Sequence, residues 1–344
     1  MKIYFFLAIF FFVLSPFAYC QKQIQHTKAI CFSIANNKDT INFIKLNEDL
    51  DTPKPTILFF QGSLPIPLII DYNDGNRMVT GINNFDYNKI IERFNLILIS
   101  MPHIPVMTKK ENLNSQYAYI TDINNEHSYP QAYLNENYLE KYVERGNVVV
   151  EYLLQQKWVD IKHIIVVGHS QGAKVAAKVA SENKDITALG FFSGNPMGRV
   201  EQFIRQIRLS EQKGILSQEK AQKEIYEIYD WWKWVNDHAD TPSQNGEDSP
   251  RTTISFSVSV LPELLKIAVP MYFAYGTNDI GSSYCDLLPI DFIRAGKTNY
   301  KLVPYLGLEH NFFEIDSTGK PNYDKCHWEK VIGDFIDWLN NIKN

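Results

Sequence analysis

The stretch GHSQG, residues 168–172, places a serine between two glycines with the spacing G-x-S-x-G. The β-branched run IIVV precedes it, which is typical of a buried strand, and an alanine-rich stretch follows, which is typical of a helix packed closely on a sheet. Ser170 is therefore predicted at a sharp strand-to-helix turn, with its hydroxyl projecting as a nucleophile. The alternative is an ordinary turn serine, which the flanking strand and helix patterns disfavour.

A serine hydroxyl becomes an effective nucleophile only when a base removes its proton, and a carboxylate that orients the base improves it further. The chain has eight histidines. His310 is the candidate base, because it follows the last predicted strand in YLGLEHNFF, where a loop can carry it above the sheet. His169 is predicted to be structural, because adjacent side chains on a tight turn diverge.

The orienting carboxylate is expected at the carboxyl end of the preceding strand, PMYFAYG. Asp279 lies three residues after Gly276, which ends that stretch. Asp286 and Asp291 are competitors in the same segment, and an aspartate after a strand is often only a turn or capping residue. Asp279 is the predicted acid of a Ser-His-Asp triad.

Strand and helix patterns alternate along the chain. This alternation predicts an α/β fold with a mostly parallel central sheet, helices on both faces and a leading hairpin as an antiparallel edge. The predicted hairpin spans 29–35 and 40–46, and the later strands span 56–62, 96–102, 164–170, 186–194, 270–276 and 301–307. The clearest helical patterns span 87–94, 138–156, the stretch after the nucleophile, 291–296 and 327–342.

Two segments break the alternation. Residues 103–136 are polar, and a loop of that length in a compact domain is usually functional or mobile. Residues 197–265 are predicted to form a helical cap, because they carry apolar and aromatic residues at helical spacing. Some of these rings are expected to face the cleft and bind substrate, and the alternative is that they fill a small core within the cap. The rings are those of Tyr226, Tyr229, Trp231, Trp232 and Trp234.

Taken together, the motifs resemble those of the α/β-hydrolase family. The resemblance rests on the order Ser170, Asp279, His310, on the elbow GHSQG, on LLKIAVPMYFAYGTND and on GLEHNFF before a terminal helical pattern. It covers roughly residues 28–344. It implies an α/β-hydrolase fold whose cap is inserted after the sixth core strand.

The resemblance also implies the domain boundaries and an oxyanion hole. The core would comprise residues 21–196 and 266–344. The two donors would be the backbone N–H groups of Gln171, after the nucleophile, and Ser63, in the loop after the third strand. That loop has the sequence FFQGSLP without an HGGG run, so Leu64 is an alternative second donor.

These residues predict a serine hydrolase acting on a small-molecule ester or acyl substrate. Ser170 would attack the carbonyl, His310 would act as base and then acid, and water would hydrolyse the acyl-enzyme. A serine peptidase or amidase on the same fold is the enzymatic alternative. A non-catalytic binding domain that retains the scaffold is the alternative from a different class.

Composition and motifs narrow the possible partners and cofactors. The 344 residues are 45% hydrophobic with a net charge of -5, so no basic surface for nucleic acid is expected. The sequence has no HExxH, no GxxxxGK[ST] and no GxGxxG after a strand, so neither a metal nor another cofactor is predicted.

The first twenty residues have the layout of a signal peptide. Lys2 precedes an apolar run over 3–14, which is too short for a comfortable transmembrane helix. Cleavage after Cys20 would leave Gln21 as the N-terminus of a secreted or periplasmic protein without a membrane span. Lipid anchoring at Cys20 is the alternative, disfavoured by the bulky Tyr19 before it.

A disulfide is predicted between Cys285 and Cys326. Export places the chain where disulfides persist, and cleavage leaves three cysteines, so at most one internal pair forms. Cys31 lies in a predicted edge strand, whereas the other two follow Asp279 and His310, which a triad brings to one edge of the sheet. Two free thiols are the alternative, because a bridge requires a specific Cα separation.

Overall fold

The computed structural model describes residues 19–25, 27–37, 39–82, 85–243 and 246–342. Most of the predicted signal peptide, residues 1–18, therefore lies outside the described residues. The strands are β1 (Tyr19–Gln23), β2 (Ala29–Asn36), β3 (Asp39–Leu46), β4 (Lys54–Phe60), β5 (Ile69–Asp71), β6 (Arg77–Val79), β7 (Asn95–Ile99), β8 (Met107–Lys109), β9 (Val159–His169), β10 (Ala188–Phe192), β11 (Met271–Gly276), β12 (Tyr300–Tyr305), β13 (Phe313–Ile315) and β14 (Pro321–Cys326).

The α-helices follow the same chain order. They are α1 (Tyr87–Ile91), α2 (Gln131–Glu136), α3 (Leu139–Leu153), α4 (Gln171–Glu182), α5 (Arg199–Gln212), α6 (Gln218–Asp237), α7 (Pro250–Ser257), α8 (Leu261–Lys266), α9 (Leu288–Arg294) and α10 (Trp328–Asn341). No helix in the described part of the chain is both long enough and apolar enough to span a membrane.

Nine of the described strands form the main sheet, in the order β1-β2-β3-β7-β4-β9-β10-β11-β12. Neighbours are antiparallel from β1 to β7 and parallel from β7 to β12. Every residue of β7, β10 and β11 is buried, as expected for strands covered on both faces. The predicted fold class, a mostly parallel sheet with helices on both faces and a leading antiparallel hairpin, is confirmed, although β1, which was not predicted, forms the edge outside the hairpin.

Two hydrophobic cores lie on opposite faces of this sheet. Alternate residues of a strand point to opposite faces, and β9 shows this directly. Its Val166 belongs to the core beneath α3 and α4, whereas its neighbour Val167 belongs to the core beneath α1 and α10. The helices therefore hold β9, and the turn that follows it, from both sides.

Several short strands were not apparent from the sequence. The segment 103–136 contains β8 and α2, and β8 joins β5 and β6 in a small three-stranded sheet. After β12 the chain forms the hairpin β13-β14. β5, β6, β8 and β13 each have only three residues, which is too short for an alternating pattern to be recognised.

The segment 197–265 is largely helical, as its pattern indicates. α5 packs on α6, and α6 packs on α7. α7 was missed, although Ser249 caps it by accepting a hydrogen bond from Thr252 N and proline occupies its first turn. α8 packs on α4, with Leu264 in the core. The division into a core and a separate cap remains a prediction.

Candidate active site

Ser170 occupies the turn between β9 and α4. Its backbone has a φ of 58° and a ψ of -123°, a conformation that is strained for a residue with a side chain. Its N–H donates to the carbonyl of Phe192, at the end of β10, over 2.9 Å. The predicted strand-turn-helix context of Ser170 is confirmed.

The two glycines of GHSQG permit close approaches of the backbone. A Cβ on Gly168 would lie 2.0 Å from the carbonyl oxygen of Gly172, where α4 begins. A Cβ on Gly172 would lie 2.1 Å from the carbonyl oxygen of Phe60, at the end of β4. Because real Cβ atoms do not approach so closely, the elbow fits only with glycine at both positions.

The loops after β11 and β12 bring Asp279 and His310 to Ser170. His310 Nε2 lies 2.9 Å from Ser170 Oγ, and His310 Nδ1 lies 2.6 Å from Asp279 Oδ2. The three side chains form one continuous hydrogen-bonded line. The carboxyl ends of parallel strands meet at one edge of a sheet, which explains why residues so distant in sequence converge.

The carboxyl of Asp279 is buried and held by several donors. Burial by itself raises its pKa, but hydrogen bonds with His310 and Ser282 and the charge of His310 outweigh this and lower the pKa. Ser282 Oγ donates to Oδ2 over 2.6 Å, and the Gly281 N–H donates to Oδ1 over 3.0 Å. Asp279 is therefore ionised and fixed in orientation.

The carboxylate of Asp279 stabilises the protonated form of the His310 imidazole. Burial by itself lowers its pKa, but the hydrogen bond with Asp279 and the negative charge of Asp279 raise the pKa above the ordinary 6.5. Its side chain is 38% exposed, so a bound substrate can reach it. A histidine with this environment is a stronger base than a free imidazole.

The competing acids are engaged elsewhere. Asp286 accepts a hydrogen bond from the hydroxyl of Tyr275. Asp291 pairs with Arg294 over 3.0 Å, one turn later in α9. Of the three aspartates considered from the sequence, Asp279 is the one that contacts His310.

His169 contacts the loop that carries His310. Its Nε2 donates to the carbonyl of His310 over 3.1 Å, and the two rings lie 5.0 Å apart between centroids. Burial lowers the pKa of His169 to about 3, so it is neutral at physiological pH. This contact agrees with the structural role expected for His169.

The predicted oxyanion donors lie beside the nucleophile. Ser63 and Gln171 line the same cleft as Ser170, and a Cβ on Gly62 would lie 3.7 Å from that of Ser170. Gln171 begins α4, and the first N–H groups of a helix have no partner within it. The hydroxyl of Tyr133 donates to the Ser63 carbonyl over 3.1 Å and so fixes the loop, a contact with no sequence signal.

Comparison with known proteins shows likeness in structure but not in sequence. No protein-family model and no curated protein matches the chain. A structure from Bacteroides ovatus described as a dipeptidyl aminopeptidase IV superposes with a TM-score of 0.51 at 11% identity, covering 94% of this chain and 36% of that one. The chain has the α/β-hydrolase fold.

Two esterase structures are also similar. Est1E from Butyrivibrio proteoclasticus gives a TM-score of 0.48 at 14% identity and covers 90% of this chain and 97% of its own. Acetyl xylan esterase 1 from Thermoanaerobacterium gives 0.49 at 10% identity, with coverage of 95% and 87%. At these identities the likeness concerns the α/β-hydrolase fold alone.

Two clefts meet at Ser170 and His310 on this α/β-hydrolase scaffold. We call the first, of about 490 Å³, the polar cleft, and the second, of about 270 Å³, the apolar cleft. Ser63 borders both of them. The walls of the polar cleft include Gln171, Ser193, Asn195, Arg199, Gln202, Gln206, Phe256, Asn278 and Glu309, and those of the apolar cleft include Phe59, Gln61, Leu64, Ile66 and Ile82.

In the described part of the chain, the aromatic residues of α6 line neither of these two clefts, and their binding of substrate remains a prediction. Among the described residues, Trp231 and Trp234 instead line a third space of about 390 Å³, which we call the aromatic cleft. Trp232 packs against Trp231, and Tyr229 is largely exposed. The reason is that α5 lies between the polar cleft and α6. Gln202 and Gln206 of α5 line that cleft, and α6 packs on α5.

The predicted disulfide between Cys285 and Cys326 is also wrong, because both residues are free thiols. Cys285 is buried and its Sγ donates to the carbonyl of Gly194 over 3.5 Å. Cys326 is exposed at the end of the β13-β14 hairpin. The chain between β12 and α10 builds this hairpin, which the sequence did not reveal, and it places the second thiol at the surface.

In the described part of the chain, no three side chains of the His, Cys, Asp or Glu type come together as a metal-binding group.

Proposed function

We propose that the protein is a serine hydrolase that cleaves carboxylic esters through an acyl-enzyme. The observation that carries this proposal is the unbroken line from Ser170 Oγ to His310 Nε2, over 2.9 Å, and from His310 Nδ1 to Asp279 Oδ2, over 2.6 Å. Each distance is within the range of a strong hydrogen bond. A scaffold kept only for binding has no need of this alignment.

The proposed reaction uses each group in turn. His310 removes the proton of Ser170 Oγ as that oxygen attacks the ester carbonyl, and Asp279 stabilises the resulting imidazolium. The N–H groups of Gln171 and Ser63 stabilise the oxyanion. The imidazolium then gives its proton to the departing alcohol, and the acyl group remains on Ser170.

Water completes the cycle by the reverse use of the same groups. His310 removes a proton from the water molecule that attacks the acyl-enzyme, and the collapse of the second oxyanion returns that proton to Ser170 Oγ. The protein is thereby regenerated with no net change of protonation. No other reactant is consumed.

The test is covalent labelling combined with kinetics. We expect a fluorophosphonate probe to label Ser170, and Ser170→Ala to lose on the order of a million-fold in kcat for p-nitrophenyl acetate. Ser181→Ala, on the same helix but hydrogen-bonded to Lys178, is the matched control and should retain full activity. An unlabelled protein, or a Ser170→Ala variant with a tenth of the activity, would contradict the proposal.

The peptidase or amidase alternative is separated by the choice of substrate. Aminoacyl p-nitroanilides and p-nitrophenyl esters are to be compared at equal concentration. Hydrolysis of an anilide with a kcat/KM equal to or above that of the best ester would assign a peptidase or amidase instead. Absence of turnover for both classes would favour the non-catalytic binding domain.

We also propose that the protein is exported, either secreted or periplasmic. The proposal is supported by the signal-like composition of residues 1–20. N-terminal sequencing of the protein recovered from its native host should give Gln21 as the first residue. A lipid-modified Cys20 would establish the alternative of an anchored protein, and an intact Met1 would refute export.

A further inference from the structure

We propose that the substrate is the ester of a short apolar acyl group with a carbohydrate, an inference that rests on the proposed ester hydrolysis. The two clefts that meet at Ser170 differ in size and in chemistry. An ester has an acyl side and an alcohol side, and each must occupy one of these clefts while the carbonyl lies at Ser170. The chemistry of each cleft therefore selects one side of the substrate.

Side-chain amides and hydroxyls line the polar cleft together with apolar residues such as Phe256 and Ile315. Asn195, Gln202, Gln206 and Asn278 come from three segments of the chain and converge on it. Asn195 bonds within the protein to Gly198, Gln202 and Met197. Gln206 and the remaining atoms of Gln202 and Asn278 are therefore the amide groups that a ligand with many hydroxyl groups would bind, because a side-chain amide donates and accepts as a sugar hydroxyl does. The volume of about 490 Å³ is sufficient for such a ring.

Ser193 supplies an independent observation in the same cleft. The residue is 2% exposed, and its Oγ has no hydrogen-bond partner among the described residues. A buried hydroxyl without a partner costs free energy, so such groups in native proteins commonly await a ligand or water. Ser193 follows β10 directly and lines the polar cleft together with Ser170.

Arg199 and Lys174, which line the polar cleft, have partners within the protein. Arg199 donates to Asp248 over 2.6 Å and to the side chain of Gln171. Glu309 accepts hydrogen bonds from two backbone N–H groups of its own loop. Arg199 and Lys174 are therefore not available to pair with an anionic ligand.

The apolar cleft fits the acyl group. Phe59, Leu64, Ile66 and Ile82 line it, and its volume of about 270 Å³ limits the chain length. The acyl group stays attached to Ser170 after the alcohol leaves, and these apolar side chains would contact it. Water must then enter through the cleft that the alcohol has vacated, and the larger, polar cleft serves that role.

The aromatic cleft extends the proposed carbohydrate site. Arg199 borders both the polar and the aromatic cleft, so the two are adjacent. Trp231 and Trp234 line the aromatic cleft, and Trp234 is 47% exposed. Exposed rings at a groove mark a binding surface, and indole faces pack well on the C–H faces of sugars. A second sugar unit would lie there.

The first experiment compares esters that share the acetyl group. Methyl 6-O-acetyl-glucoside is to be measured against cyclohexyl acetate, which has a ring of similar size without hydroxyl groups. We expect kcat/KM to be about tenfold or more higher for the sugar ester, which corresponds to one or two hydrogen bonds. Equal values would overturn the inference, as would a preference for cyclohexyl acetate.

Two further substrates test the assignment of sides. The octanoyl ester of methyl glucoside should be cleaved more slowly than the acetyl ester, because the apolar cleft is small. The methyl ester of glucuronic acid places the sugar on the acyl side, and a preference for it would reject the proposed orientation. Hydrolysis of p-nitrophenyl acetate without any preference for sugar esters rejects only this inference, whereas no hydrolysis of any ester rejects the proposed function.

Variants locate the carbohydrate site. Gln206→Leu should lower the ratio of kcat/KM for the sugar ester to that for p-nitrophenyl acetate by about three- to tenfold. The matched control is Gln212→Leu, because Gln212 is exposed at the end of the same helix. An unchanged ratio in Gln206→Leu, or an equal fall in both variants, would contradict the inference.

Ser193→Ala separates a ligand role from a structural one. Because the hydroxyl has no partner, its removal should leave Tm unchanged or raise it, while the same kcat/KM ratio falls severalfold. A lower Tm with an unchanged ratio would show that the hydroxyl serves the fold and would contradict its assignment to the substrate.

Discussion

At the scale of single residues, the environment of His310 determines its basicity. The carboxylate of Asp279 faces one ring nitrogen, and the hydroxyl of Ser170 faces the other. Burial and the carboxylate act on the pKa of His310 in opposite directions, and the carboxylate prevails. The same contact that orients the ring therefore also sets the pH range in which the proposed base is unprotonated.

This environment predicts the acid limb of the pH profile. The proposed base acts only when neutral, so kcat/KM for p-nitrophenyl acetate should fall as pH decreases through the pKa of His310, which lies above 6.5. Asp279→Asn should move this limb to lower pH and reduce kcat by roughly 10⁴-fold.

The control for this profile is Asp286→Asn. Asp286 bonds to Tyr275 rather than to His310, so the limb should stay where it is in the wild type. If the acid limb of the pH profile does not move in Asp279→Asn, a group other than His310 is responsible for it.

The free thiols give a second residue-scale prediction. Cys326 is exposed, whereas Cys285 is buried and burial raises the pKa of its thiol. The thiolate is the reactive form, so iodoacetamide should modify Cys326 in the native protein and Cys285 only after unfolding. Non-reducing peptide mapping provides the measurement. Recovery of a peptide linking the two cysteines would show that the predicted disulfide forms after all.

At the scale of elements, the elbow depends on the contact of α4 with the end of β4. Gly172 lies in the first turn of α4, where its Cα faces the carbonyl of Phe60. This approach sets the height of Ser170 above the sheet and its distance from the loop that carries Ser63. A side chain there would push the helix away from the strand.

Gly172→Ala should therefore impair both stability and activity. A Cβ at this position would lie 2.1 Å from a backbone oxygen, so the helix must shift. We expect a loss of about 1–3 kcal/mol in the free energy of unfolding, and a loss of kcat that exceeds any change in KM. Gly333→Ala in α10 is the control, because among the described residues no atom beyond its chain neighbours and the backbone of its own helix lies within 4 Å of the added Cβ. It should be neutral or stabilising.

At the scale of the whole molecule, Lys174 joins the core to two points of the predicted cap, one at its start and one after α7. Its Nζ donates to the carbonyl of Met197, before α5, and to that of Val258, after α7, over 2.7 Å for the latter. Burial lowers its pKa to about 7. The side chain of Lys174 therefore holds the chain just before α5 and just after α7, the two positions between which α5, α6 and α7 lie.

Lys174→Met should lower the free energy of unfolding by about 1–3 kcal/mol, because two buried carbonyls lose their donor. Lys178→Met, one turn later in an ion pair with Glu140, should cost less than about 1 kcal/mol. Urea unfolding of both variants is the measurement. An equal loss in the two variants would rule out a special role for Lys174.

Ionisation of Lys174 should also make the free energy of unfolding depend on pH. The unfolded chain keeps Lys174 protonated up to about 10.5, whereas the folded chain releases the proton near 7. The unfolded state binds more protons between these values, so the wild type should gain stability relative to Lys174→Met as pH rises from 7 to 9. A constant difference between the two proteins over that range would show that Lys174 does not titrate there.

The sequence by itself predicted most strands of the main sheet, the elbow, and Ser170, Asp279 and His310 as the residues of the candidate site. β-branched runs, alternating helical stretches and the two glycines around Ser170 are local patterns, and local backbone preferences act on them directly. Asp279 and His310 were also accessible, because each follows a strand and parallel strands end at one edge of the sheet. These inferences needed only the order of elements along the chain.

Only the tertiary structure decided which side chains surround the triad. The packing of α5 on α6 turned Gln206 toward Ser170 and Trp231 away from it, and an unforeseen hairpin carried Cys326 to the surface. The hydroxyl of Ser193 has no hydrogen-bond partner among the described residues, which likewise depends on how distant segments pack around it. Each outcome depends on contacts between segments distant in the sequence, for which the local pattern of hydrophobic and polar residues contains no signal, because many packings bury the same apolar face equally well.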